Sequence, residues 1–109
     1  MKYSVIISKS AFRQLSSIIE WIAIHSSSSF TAMKWASKFE KAILSLEEFP
    51  YRYPFLKQEH WLSKGIRKMP ISPYIAFYLI RETEMKVHLN AFCHGLQSRT
   101  GPLKKAFGL

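Results

Sequence analysis

The sequence predicts an α+β domain. An N-terminal strand and an α-hairpin lead into a three-stranded antiparallel meander, the order β-α-α-β-β-β, with the helices on one face of a small curved sheet. Three observations predict it. Residues 65–95 hold three β-rich runs, GIRKMPI, YIAFYLI and MKVHLNAFCHG, separated by the turn-like SP and RETE. Residues 11–49 repeat apolar side chains at three-four spacing, interrupted once by four serines. Residues 2–8 alternate with the period of two that a strand requires. A chain of 109 residues supports one modest core, so residues 1–109 are read as a single domain.

The first strand places Tyr3, Val5 and Ile7 on one face. Ser8 or Ser10 can then cap a helix through its hydroxyl. From Ala11, Phe12, Leu15, Ile18, Ile19 and Ile22 fall on one helical face, and the helix runs to about His25. The serines at 26–29 suit a short helix-helix turn. Met33, Ala36, Phe39, Ala42 or Ile43, Leu46 and Phe49 then define a second amphipathic helix that ends at Pro50, which lacks the N–H a helix needs. Residues 51–64 read as a long, basic, aromatic surface loop.

In the meander, Tyr74, Ala76, Tyr78 and Ile80 share one face, while Ile75, Phe77 and Leu79 make the other face apolar too. That strand is therefore placed centrally. Met85, Val87, Leu89 and Ala91 share one face of the last strand, opposite the polar Lys86, His88 and Asn90. The first strand is expected to join this sheet.

Charge is the strongest compositional signal: sixteen Lys and Arg against seven Glu and no Asp, a net +9. Such an excess favours an anionic partner, nucleic acid or an acidic protein. Cys93 is the single cysteine, so no internal disulfide forms and a zinc site would rest on histidines. His25, His60 and His88 show no metal-ligand spacing, and no cofactor motif is present. No apolar run approaches the roughly 20 residues that cross a bilayer. The opening MKYSVIIS has neither a long apolar region nor a small-residue cleavage site, and the protein is read as cytoplasmic.

The opening YSVIISKSAFRQLSSI, the second helix ending in AILSLEEFPYRYP, the hairpin GIRKMPISPYIAFYLI and the strand end AFCHG together resemble the RelE/ParE superfamily of type II toxin-antitoxin toxins. Within it the chain is most similar to the ParE-like, plasmid-stabilisation branch, and the resemblance spans residues 2–99. It implies a compact toxin, neutralised by a cognate antitoxin that is small, acidic and folds on binding. Two targets occur in the superfamily: ParE-like members poison DNA gyrase, and RelE-like members cut messenger RNA on the ribosome. A third possibility is a non-toxic module that only binds antitoxin.

Cutting RNA through a 2′-hydroxyl needs a base, a cation on the scissile phosphate and an acid for the leaving oxygen. The resemblance places the ribonuclease arginine just after Tyr74, where this chain has Ile75, and a His-Tyr pair at the last strand's end, where it has His94 and Gly95. Leu96 and Gln97 replace the basic residues usual beyond. A ribonuclease would have to draw on Arg67, His94 and Lys64 or His60. The expectation is therefore a gyrase-binding toxin rather than an enzyme, with Arg67, Lys68, Trp61, His94, Arg99, Lys104 and Lys105 as target-binding candidates. Trp21 and Trp35 are assigned to core or interface, and Trp61 is the aromatic singled out for partner contact.

Overall fold

The computed structural model describes residues 2–56 and 65–95. Strand β1 (Ser4–Ile7) runs straight into helix α1 (Lys9–Ser26). Ser8 rather than Ser10 is the cap, its Oγ accepting from the Ala11 N–H at 3.0 Å. The helix therefore begins two residues before Ala11. Ser27 stops it in the left-handed region at φ 52°, and Ser28 caps helix α2 (Ser29–Ser45) by accepting from the Thr31 N–H at 3.1 Å. The serine run supplies both the break and the new start.

Helix α2 ends at Ser45, short of the expected stop at Pro50. Ser45 Oγ donates back to the Ala42 carbonyl at 2.6 Å, a local bond that competes with continuation. The Glu47 carbonyl then accepts from the Tyr3 N–H at 2.7 Å, tying the helix end to β1. Leu46 stays buried, but Phe49, expected on the apolar face, is 60% exposed. Pro50 instead opens a single 3₁₀ turn, Pro50–Arg52.

Strands β2 (Arg67–Ile71), β3 (Tyr74–Arg81) and β4 (Lys86–His94) form the antiparallel meander. The sheet order is β1-β4-β3-β2, with β1 parallel to β4, so β3 is central as expected and the sheet is mixed. A 3₁₀ turn, Glu82–Glu84, joins β3 to β4, and Met85 closes it at φ 55°. Met85 is thus a turn residue and not the first member of the strand's apolar face.

The register slips between Phe77 and Tyr78: Phe77 faces Ala91, whereas Tyr78 faces Leu89. Asn90 is the extra residue of a β-bulge, and beyond it every side chain changes face. Val87, Leu89 and then Phe92 meet the helices, packing with Phe39, Leu46, Met69, Ala76 and Tyr78. Ala91, expected beside Val87 and Leu89, is instead buried on the far face with Cys93, Phe77, Ile66 and Leu56. Gln14 from α1 accepts from the Phe92 N–H at 2.8 Å, just past the bulge. No described helix is long and apolar enough to cross a membrane.

Candidate functional site

Arg67 begins β2, opposite Tyr78, and is half-buried. Its guanidinium donates to the Tyr53 carbonyl at 2.7 Å and lies 4.0 Å from the Phe55 ring centroid and 5.3 Å from that of Tyr51. A planar cation between two rings is a geometry arginine suits and lysine does not. Phe55 also bridges to Arg67 through the backbone, and the Leu56 N–H donates to the Ile66 carbonyl at 2.8 Å. Residues 51–56 therefore seal the β2 edge of the sheet. Tyr78 completes this corner by donating its hydroxyl to the Pro50 carbonyl at 2.7 Å. Burial pushes the Tyr78 phenol up to about 12.

His94 lies at the far end, opposite Tyr74, its ring edge-on to the Tyr74 ring at 5.5 Å. Tyr74 is four residues from Tyr78 along β3, roughly 13 Å, and the strands carrying Arg67 and His94 lie a further ~10 Å apart across β3. Arg67 and His94 are therefore not brought together. Lys68, the neighbour of Arg67, faces the other side of the sheet beside Phe77. The two cations do not form one patch. Ile75 pairs with Cys93 and packs with the far-face cluster. Gly95 donates to the Pro73 carbonyl at 2.8 Å, and a Cβ there would lie 3.2 Å from that oxygen. A side chain at 95 would need this carbonyl to give by a few tenths of an ångström. His60, Trp61, Lys64, Arg99, Lys104 and Lys105 lie outside the described residues.

Two further surface features stand out. The first is an aromatic trough along α1. One cleft of about 340 Å³ is lined by Ser17, Ile18, Trp21, Tyr74 and His94. A second of about 340 Å³ continues past Trp21 to His25, Trp35 and Pro73, with Tyr74 again in its wall. Trp21, assigned to core or interface, is 56% exposed. Its absence from the three-four stripe of α1 was the available signal. Phe12 belonged to that stripe and is nevertheless 60% exposed.

The second is the open edge at β1. The Ser4 and Ser8 amides donate to Met85 and Leu89 of the β4 side, so the intervening amides of Val5 and Ile7 point away from the sheet. Beside them a groove of about 380 Å³ is lined by Val5, Ile7, Leu15, Ala36, Ile43, Leu44 and one acid, Glu40. Lys2 and Lys9, both exposed, flank the strand.

A strand, a helical hairpin and a meander, with the first strand laid parallel beside the last, define a small basic toxin fold of the RelE/ParE kind. The solved structure of the toxin-antitoxin complex RelBE2 from Mycobacterium tuberculosis contains a chain similar to this one, with a TM-score of 0.59 and 21% identity, covering 86% of this chain and 99% of that one. No curated protein sequence matches significantly. Residues 5–98 match the family described as the ParE toxin of type II toxin-antitoxin systems, parDE, and the chain belongs to that family.

Proposed function

We propose that this toxin acts by binding and inhibiting DNA gyrase rather than by cutting RNA, and that a cognate antitoxin silences it. The observation that carries the reading is the engagement of Arg67. A guanidinium held by the Tyr53 carbonyl and two rings, opposite Tyr78 and so four residues along β3 from the partner of His94, is poorly placed to share one phosphate with that imidazole. Ile75 adds no charge at the position after Tyr74 where the resemblance places the ribonuclease arginine. Binding needs only a shaped, cationic surface, which a net charge of +9 supplies.

Supercoiling of relaxed plasmid by purified gyrase tests this: inhibition at micromolar toxin is expected, and its absence would remove the reading. One observation favours the ribonuclease alternative, namely that His94 lines an open cleft.

The antitoxin reading rests on the RelBE2 complex and on the β1 edge. Outward amides at Val5 and Ile7, an apolar groove alongside and lysines at both ends suit an extended segment with apolar and acidic residues, ordered on binding.

A further inference from the structure

Among the described residues Trp21 stands outside the core cluster and is 56% exposed. Its indole stands on α1 between the two clefts, with one face covered by the His25 imidazole at 4.0 Å between centroids and 19° between planes. His25 is fixed there, its Nδ1 2.9 Å from the Trp21 carbonyl oxygen. The neighbouring wall is also aromatic: Trp35 and Tyr74 meet edge-on at 5.6 Å, and Tyr74 and His94 at 5.5 Å. We propose that this trough, centred on Trp21 and Tyr74, is a stacking site for the bases of a single-stranded nucleic acid.

Three features favour that occupant. The walls are flat π-faces, which accept any base, with the Ser17 and Ser26 hydroxyls at the margin. No carboxylate is among the described lining residues, and cations stand close by. The Lys38 ammonium lies 4.5 Å over the Trp35 ring, and Arg13 is one turn before Ser17 on the same side of α1. Two adjoining clefts that share Trp21 and Tyr74 leave room for more than one base along a strand. Duplex bases are already stacked and cannot enter, so the ligand is single-stranded. An apolar protein segment is better served by the groove beside β1, which lacks these rings. The proposal goes beyond gyrase binding and does not depend on it.

The test is fluorescence anisotropy with labelled oligothymidylate of about eight nucleotides and an abasic oligomer of equal length. The wild-type protein is expected to bind the thymidylate roughly tenfold more tightly than the abasic strand at one ionic strength. Trp21→Ala, at an exposed position, should remove that preference while leaving abasic binding and its salt dependence unchanged. Trp21→Phe should retain part of it. Equal binding of the two strands by wild type, a preference that survives Trp21→Ala, or no binding of either strand would each overturn the proposal. If neither strand binds and Trp21→Ala instead weakens antitoxin or gyrase binding, the trough is a protein contact.

Discussion

Replacing Arg67 by alanine should unfold the corner that residues 51–56 make against β2. The substitution removes a charged hydrogen bond of 2.7 Å to the Tyr53 carbonyl and the contacts to the Phe55 and Tyr51 rings. A hydrogen bond from a charged donor is worth ~1.5–3 kcal/mol, and a partly exposed cation–π contact ~0.5–1 kcal/mol. The terms overlap because one half-buried side chain makes them all, so the expected loss is about 2–3 kcal/mol. For a domain of this size that lowers Tm by roughly 10–15 °C. Arg67→Lys keeps the charge but not the planar fork, and should lose about half as much. Thermal and urea unfolding followed by circular dichroism measure both. An Arg67→Ala protein melting within about 2 °C of wild type, yet devoid of toxicity, would refute the reasoning. It would show that the guanidinium serves a ligand and not the fold.

Three further substitutions report on other parts of the account. Tyr78 ionises near 10 in the unfolded chain and at about 12 in the folded one, because burial disfavours its phenolate. Its contribution is therefore complete below pH 10 and is lost as pH rises through 12, by at most ~2–3 kcal/mol, and Tyr78→Phe should flatten that alkaline slope in urea unfolding while costing about 1–2 kcal/mol at neutral pH. Val5→Pro deletes an outward amide without touching β4, so the protein should fold but bind its antitoxin about tenfold more weakly, whereas Ile6→Pro should not fold; calorimetric titration showing undiminished affinity for Val5→Pro would remove the edge-pairing reading. Gln14→Leu strands the Phe92 N–H beside the bulge and should cost ~1–3 kcal/mol in the same unfolding assay, with Phe92 amide exchange accelerated.

The element order was legible because each element announces itself locally. Ser8 and the serine run carry caps, and the helices carry a three-four stripe. The two-sided apolar pattern of β3 gave its central place. What was not legible depends on contacts distant in sequence. The bulge at Asn90 leaves no mark, since Ala91, Phe92 and Cys93 are apolar in succession and buried whichever face they take. That β1 lies beside β4, and parallel to it, follows from where the helical hairpin returns the chain. The half-burial of Arg67 was not legible because the rings beside it come from residues 51 and 55. Trp21 was assigned to core or interface from its place in an amphipathic helix, and its angular position on α1 sets it off the buried stripe.

The toxin proposed here grips a macromolecule and breaks no bond. Primer extension on messages recovered from translating ribosomes incubated with the purified toxin tests it most directly. No toxin-dependent ends are expected, with wild-type and His94→Ala proteins giving the same pattern. New ends that appear with wild type and vanish with His94→Ala would contradict it, because they would make that imidazole a reacting group.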